Sequence, residues 1–430
     1  MDLTAKEHTG SVFLDVLRVR PFRRLWLGQI ASQLAMSSML FVLALRVYQT
    51  TSSNVAVSGI FLSYGIPALL FGMAAGSVVD QLDKRFVLLF CDLSRAILAL
   101  SLLFLSENIA IVYAITFLNS VISQFYIPAE ASLIPQVVPV KRLLTANSMF
   151  SFTYYSSLAV GTVLSGPLLR LLSVRGVFLT IALMFLAAAA SISGLPVSTR
   201  LRHELSRIAR IPVGDIIVRI AESVIQGVVY VRRSPKLADA LLLLTGTQIL
   251  LSILGTLGPG LADQVLKIDI HDASVVLVGP AIAGIIAGAL WVGQLGSKTP
   301  PQSLIKPGII AAGILLLLVA FVVHIRIIVP SVAGTIQTVI IPVTLILFFF
   351  LGAANSMLDV PANSILQKEA EGALRGRVYG MLTAAIGGIG VLPVLIGGVL
   401  ADALGTGTVI LLLGTVVLSY GIIRVRYNTA

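Results

Sequence analysis

Four ionisable residues lie inside or at the ends of long apolar runs of this sequence, where a charge is costly. They are Asp92, Arg95, Glu130 and Asp359. Asp92 and Arg95 are three residues apart, and this spacing places both side chains on the same face of a helix. Charges in such runs usually face a partner or a water-filled cavity. The pair therefore predicts either a structural ion pair or a proton-binding or gating site, and both interpretations stay open.

Glu130 and Asp359 each stand beside a proline, and Pro361 follows Asp359 by two positions. Proline releases backbone carbonyls that can line a cavity, and a buried carboxyl group takes up a proton more readily than an exposed one. Asp359 is the better proton candidate of the two, because the preceding stretch FFFLGAANSML carries no charge. Pairing with a cytoplasmic gate formed by Arg375 or Arg377 is an equally good interpretation.

The elements that must position these residues are apolar segments long enough to cross a bilayer. The chain has 430 residues, of which 57% are hydrophobic and 11% charged, and its mean hydropathy is +1.00. A membrane helix needs about 20 mostly apolar residues. The sequence predicts an all-α polytopic membrane protein with twelve spans, at 25–48, 55–79, 86–105, 109–132, 143–169, 174–194, 238–261, 274–295, 307–329, 338–364, 378–401 and 406–424.

Basic residues alternate between the loops. With the N-terminus inside, about 24 of the 30 lysine and arginine residues fall on the inner side. This asymmetry predicts a cytoplasmic (inner) membrane protein with both termini in the cytoplasm. It also accounts for the net charge of +11, so we expect no nucleic-acid partner. The first 20 residues contain no apolar core with a cleavage site, so no signal peptide is predicted.

The longest polar segment divides the chain into two sets of six spans. This segment, 195–237, is rich in arginine and predicts a cytoplasmic linker with a basic amphipathic helix, or else a simple solvated connection. The predicted domains are 1–194, 195–237 and 238–430. Spans four and ten end in the similar stretches YIPAEASLIPQ and DVPANSILQ, which favours a duplicated bundle.

Motifs of catalysis are lacking in the sequence. It contains no G-x-x-x-x-G-K-[ST] phosphate-binding loop, its four histidines are widely scattered, and Cys91 is its only cysteine. We therefore expect neither an enzyme, nor a cofactor, nor a metal site.

The loop GSVVDQLDKR, which follows the second apolar run, resembles the G-x-x-x-D-R-x-G-R-R/K signature of the major facilitator superfamily. Gln81 and Asp83 depart from that signature. In the superfamily this loop latches the two halves in the outward-open state. The resemblance therefore implies a conformational latch made of the matching residues, Gly76, Asp80, Lys84 and Arg85.

Further stretches are similar to the bacterial exporters that include macrolide efflux and enterobactin export proteins. The resemblance implies two pseudo-repeated six-helix bundles and secondary active export of a small amphipathic molecule (drug, macrolide or siderophore type), in exchange for protons. It implies a monomer whose partners are the substrate, protons and membrane lipids. The alternatives are a lipid or lysophospholipid flippase and a non-transporting sensor or scaffold.

The stretches that carry the resemblance to the exporters are CDLSRA, PAEASLIP, LLTANSMF, QGVVYVRRSPKL and LRGRVYGML.

Polar residues, glycines and prolines inside the spans complete the expected site. Polar groups there either line a substrate cavity or bond neighbouring helices. The cavity candidates are Gln33, Asn119, Gln124, Tyr154, Tyr155 and Gln248. Helix bending is expected at Gly166, Pro167, Pro361 and Pro393.

Overall fold

The structure of the chain is a computed structural model, and every structural statement below concerns the residues that it describes. These are residues 15–80, 82–139, 142–195, 231–232, 234–295, 301–328, 333–369, 378, 381–382, 385–386 and 390–427.

Eleven α-helices have defined bounds within these ranges. They are α1 Arg20–Thr51, α2 Asn54–Asp80, α3 Lys84–Leu105, α4 Ile109–Val137, α5 Leu143–Ser193, α6 Pro235–Gly260, α7 Gly279–Leu295, α8 Pro301–Ile328, α9 Ala333–Glu369, α10 Val391–Leu404 and α11 Thr406–Tyr427. A π-helical turn, Leu261–Leu266, extends α6, and a second one, Ser274–Val278, leads into α7.

Several helices begin where a short polar side chain can bond a free backbone N–H group. The Asp83 carboxylate accepts from the backbone N–H of Phe86 at the start of α3. The Asn108 side chain caps α4 in the same way. Ser234 caps α6, whose first residue is a proline. These caps explain why the helices begin at these residues, since apolar composition alone does not set a boundary.

The longest helix, α5, contains the fifth and sixth predicted spans. Its 51 residues include Ser173, whose φ of 60° and ψ of 170° are not helical. The chain therefore bends at the place where the sequence predicts the loop between these spans. Ten helical segments of the described residues are long and apolar enough to cross a membrane, and α10 is a shorter apolar helix. The predicted all-α polytopic membrane fold is confirmed.

The predicted bending residues lie inside these helices. Pro167 is within α5, Pro361 is within α9, and Pro393 is in the first turn of α10. Gly166 allows a close approach, because a Cβ atom there would lie 2.0 Å from the carbonyl oxygen of His271.

Two compact units divide the chain. The first, unit 1, takes its described residues from Met1–Phe41, Leu70–Thr162 and Leu172–Ile217, and the second, unit 2, from Val42–Leu69, Val163–Leu171 and Val218–Ala430. Unit 2 thus combines short segments from the first half of the sequence with the second half. The division at 195–237 into six-helix bundles stays a prediction, and most of that segment lies outside the described residues.

Each unit has an apolar core of its own. In unit 1 the core includes Phe22 of α1, Leu88 of α3 and Ala129 of α4, all fully buried. In unit 2 one core includes Leu257 of α6 and Leu316 of α8. These cores fix the helices that carry the ionisable side chains.

Candidate functional site

A cluster of ionisable and hydroxyl side chains lies inside unit 1, on three helices. Asp92 and Arg95 are on α3, Ser32 is on α1, and Ser123 and Glu130 are on α4. The side chain of Asp92 is 0% exposed and that of Arg95 is 4% exposed. We call these five residues the buried charge cluster.

The acid and the base of the cluster are joined through a serine. The Ser32 hydroxyl donates to Asp92 Oδ1 over 2.7 Å and accepts from the Arg95 guanidinium over 3.2 Å. The direct Arg95–Asp92 distance is 3.7 Å. Because Ser32 belongs to α1, the ion pair on α3 also bonds the two helices together.

The other side of the Arg95 guanidinium faces α4 and α5. It donates to Ser123 Oγ over 2.8 Å. It also lies 4.6 Å from the ring centroid of Tyr126 and 5.9 Å from that of Phe185. Both rings are within the range of cation–π attraction, so Arg95 is held by aromatic faces as well as by the carboxylate.

Three polar atoms of the cluster are buried and make no hydrogen bond among the described residues. They are Asp92 Oδ2, Arg95 Nε and Glu130 Oε1. Glu130 interacts electrostatically with both Asp92 and Arg95. The cluster therefore places two carboxyl groups within electrostatic range of one guanidinium, and one oxygen of each acid makes no hydrogen bond among the described residues.

Asp359, the sequence's preferred proton candidate, lies apart from this cluster in unit 2. Its carboxylate accepts from Asn363 Nδ2 over 3.1 Å, one turn further along α9. Arg375 and Arg377, its alternative partners, lie outside the described residues.

The loop between α2 and α3 is described in part. Gly76 and Asp80 lie near the end of α2, and their side-chain surroundings are outside the described set. Lys84 Nζ donates to the carbonyl oxygen of Leu82 over 3.0 Å. The Arg85 guanidinium donates to the carbonyl oxygen of Ser193, at the end of α5. Whether Asp80 acts as a latch stays a prediction.

The cavity candidates differ in their surroundings. Asn119 and Gln124 are buried, and each donates to a close neighbour, Met39 Sδ at 3.2 Å and the Ser120 carbonyl oxygen at 3.2 Å respectively. Tyr154 is 44% exposed. Gln33 and Gln248 are half-buried, and the side chain of Tyr155 is outside the described set.

A second polar region, which we call the helix-end seam, lies in unit 2 and was not predicted. Its first part joins Asp402, at the end of α10, to the first residues of α2. Asp402 Oδ1 accepts from the backbone N–H of Asn54 over 2.8 Å, and Oδ2 accepts from that of Val55 over 3.1 Å. The Ser53 hydroxyl also donates to Asp402. The acid thus bonds the beginning of a helix some 350 residues earlier in the chain.

The second part of the helix-end seam joins Arg170 of α5 to the turn before α7. The Arg170 guanidinium lies 3.2 Å from Asp269 and 2.7 Å from Asp272. His271 Nδ1 lies 2.6 Å from Asp269 Oδ1, and its Nε2 lies 3.1 Å from the Gln49 amide. The backbone N–H of His271 lowers the pKa of Asp269, and the His271 ring and Arg170 lower it further.

The sequence carries one signal that bears on the seam. Its charged residues all fall at the ends of predicted spans or in the loop between two spans, on the predicted outer side, where basic residues are few; they are Arg170, Asp269, Asp272 and Asp402. Opposite charges at span ends on one face are able to meet, but the sequence does not say which ends are neighbours. Among the described residues no group of three His, Cys, Asp or Glu is placed to hold a metal ion.

The chain is similar in sequence to known membrane transporters. The profile of the Major Facilitator Superfamily matches residues 25–343. The MFS-type transporter YfiS of Bacillus subtilis is 25% identical over 90% of this chain and 87% of its own length. The multidrug efflux pump Tap of Mycolicibacterium fortuitum is 23% identical over 88% of both chains. Macrolide efflux protein A of Streptococcus pyogenes is 24% identical over 33% of this chain and 37% of its own length.

A solved structure has the same fold. The crystal structure of the nucleoside transporter NupG covers 94% of this chain and 97% of its own, with a TM-score of 0.70 and 13% identity. This likeness concerns the fold alone. The superfamily profile matches more than half of the chain, and YfiS is similar over most of its length. The chain therefore belongs to the Major Facilitator Superfamily of membrane transporters.

Proposed function

We propose that this transporter exports a small amphipathic molecule in exchange for protons, by alternating access between two six-helix bundles. In this proposal it lies in the cytoplasmic membrane as a monomer, with both termini in the cytoplasm. Relatives described as efflux pumps support the direction of transport. The observation that carries the proposal is the buried charge cluster of unit 1.

The charges of the cluster do not balance when both acids are ionised. Arg95 offsets one carboxylate, and Asp92 and Glu130 together supply two. An uncompensated charge inside a membrane protein is costly and is characteristic of proton or ion pathways. One proton on either carboxyl group removes this excess charge.

The proton step is an addition and a release, with no change in oxidation state. A proton from the outside joins a carboxylate oxygen of Asp92 or Glu130 and forms a neutral carboxylic acid. After the protein changes from outward-open to inward-open, the O–H bond breaks and the proton leaves to the cytoplasm. The Arg95 guanidinium stabilises the ionised form of the acid that has lost its proton.

Transport in everted membrane vesicles tests this proposal. Vesicles that contain the protein are energised and given Hoechst 33342, a fluorescent amphipathic probe, and uptake is followed with and without an uncoupler. We expect the uncoupler to abolish uptake. Accumulation that persists at the same rate without a proton gradient would contradict the antiport mechanism.

Single neutralising substitutions test the role of the cluster. Glu130→Gln keeps the shape of the side chain but cannot take up a proton, so proton-driven uptake should be lost. Glu107→Gln removes an exposed acid between α3 and α4 and should leave uptake unchanged. Full proton-driven uptake by both Glu130→Gln and Asp92→Asn would exclude the cluster as the coupling site.

A further inference from the structure

We propose that Gly398 and Asp402 form a second latch, which holds α2 against α10 and keeps the predicted outer side closed. The residues stand in the pattern G-x-x-x-D at the end of α10. The same pattern, Gly76 to Asp80, stands at the end of α2. The inference goes beyond the proposed function, because it assigns a conformational role to residues outside the proton site.

Asp402 supplies what the first turn of α2 lacks. The first backbone N–H groups of a helix have no partner within the helix. In α2 the N–H groups of Asn54 and Val55 are bonded by Asp402, and that of Ala56 is bonded by Ser53. A carboxylate at this end also interacts favourably with the helix dipole. Separating α10 from α2 would therefore leave two donors without this partner.

Gly398 allows the two helices to approach closely enough for this contact. A Cβ atom at Gly398 would lie 2.2 Å from Ser58 Oγ and 2.9 Å from the carbonyl oxygen of Asn54. The Ser58 hydroxyl in turn lies 3.1 Å from the carbonyl oxygen of Val394 on α10. The glycine and the acid thus act on the same turn of α2, one by leaving space and the other by bonding.

The predicted topology places the two patterns on opposite faces of the membrane. The second and eleventh spans run in opposite directions, so Asp80 ends its helix on the predicted inner side and Asp402 on the predicted outer side. In this fold, inverted repeats of three helices are nested within each half. Two latches of one design on opposite faces would each hold one side closed, and transport would require them to release in turn.

The expected size of the effect follows from helix capping. Loss of a cap shifts a helix equilibrium by about 2- to 30-fold. We therefore expect Asp402→Ala, which removes the acceptor oxygens, to shift the ratio of separated to closely packed α2–α10 pairs by a factor within that range, and Asp402→Asn, which keeps one acceptor oxygen, to shift it less. Asp402→Glu retains the carboxylate on a longer side chain and should therefore shift the ratio less. A general loss of structure would instead affect all substitutions of Asp402 alike.

Distances between spin labels test the latch without substrate or protons. Labels are attached to cysteines at Thr50 and Ala403, which are exposed near the seam, in a Cys91→Ser background. Double electron–electron resonance on the purified protein should give a mainly short distance. Asp402→Ala and Gly398→Ala should each add a longer population. Gly258→Ala is the matched control, because nothing lies within 4 Å of a Cβ atom there.

Unchanged distance distributions in both Asp402→Ala and Gly398→Ala would overturn the proposal. If Asp402→Ala does not fold, Ser53→Ala removes one donor to the same carboxylate and should give a smaller shift of the same sign. The outcome is separate from that of the vesicle assay, since the distances can change in a protein that proves to be indifferent to the proton gradient.

Discussion

The buried charge cluster and the helix-end seam both pair acids with an arginine, but they do so in opposite surroundings. The side chain of Asp92 is 0% exposed and lies 3.7 Å from Arg95. Asp269 is 48% exposed and lies 3.2 Å from Arg170. In the cluster, one oxygen of each acid makes no hydrogen bond among the described residues, whereas both carboxylate oxygens of Asp402 in the seam accept hydrogen bonds.

This difference separates two uses of charge. A buried acid with an unbonded oxygen has a free energy that depends strongly on whether it carries a proton. A partly exposed acid that accepts several hydrogen bonds is stabilised in its ionised form, so at neutral pH its contribution depends on whether its partner is in place. The cluster is therefore suited to proton binding, and the seam is suited to holding helix ends together.

The largest expected effect is the loss of the buried arginine. Arg95→Gln leaves the buried Asp92 without its counter-charge, and this should reduce stability by about 3–5 kcal/mol. The thermal midpoint of the purified protein in detergent measures it. Asp92→Asn added to Arg95→Gln should restore part of the loss, since the uncompensated charge is then gone.

A matched exposed pair serves as the control for that substitution. Asp15 and Arg18 have the same three-residue spacing, but Arg18 is 80% exposed. Arg18→Gln should change stability by less than about 0.5 kcal/mol. Equal effects of Arg95→Gln and Arg18→Gln would mean that burial does not distinguish the two pairs.

The second effect concerns the close approach of α5 to the turn before α7, beside the second part of the seam. A Cβ atom at Gly166 would lie 2.0 Å from the carbonyl oxygen of His271 and 2.3 Å from Ser274 Oγ. Because backbone cannot move aside easily, Gly166→Ala should destabilise the protein by about 1–3 kcal/mol. At Gly246 nothing lies within 4 Å, so Gly246→Ala should be neutral or stabilising. If the two variants have identical thermal midpoints, the packing around Gly166 is not tight.

A smaller effect is expected for the exposed ion pairs. Arg170→Gln removes the contacts with Asp269 and Asp272 and should cost up to about 1 kcal/mol. Salt screens exposed charges, so the difference from the unsubstituted protein should shrink when the ionic strength is raised. A loss that stays the same at high salt would indicate a packing role for the Arg170 side chain.

The smallest effect is a change with pH at Asp269. The pKa of this carboxyl is lowered in the folded protein, first by the backbone N–H of His271. Its stabilising contribution is therefore complete above the unfolded pKa and is lost as the pH falls through the folded pKa. The stability difference between the unsubstituted protein and Asp269→Asn should shrink as the pH falls below about 4. Thermal midpoints across this range would reveal a constant difference if the interpretation is wrong.

Much of the fold could be predicted because apolar length is a local property. The bend at Ser173 lies where the sequence predicts the loop between spans five and six. Asp92 and Arg95 could be placed on one helical face from their spacing alone. Ser32 could not be found in this way, because nothing in its own surroundings in the sequence shows that α1 packs against α3 at that level.

The acids beside the prolines show the same limit. The sequence ranks Asp359 above Glu130 from the apolar residues that precede it. The structure places Glu130 near enough to Asp92 and Arg95 for electrostatic interaction, whereas Asp359 bonds Asn363 on its own helix. Which acid joins a charge cluster depends on the neighbouring helix, and local composition does not carry that information.

The sequence by itself determined the membrane-spanning helices, the spacing of the charges along them and the resemblance to a transporter superfamily, since all three depend on residues close together in the chain. Only the tertiary structure decided that Arg95 meets Ser32 and Ser123, and that Asp402 caps the start of α2. The physical reason is that an apolar helix can pack in many registers, and the choice among them depends on close contacts such as those at Gly398 and Gly166, which form between segments far apart in the sequence.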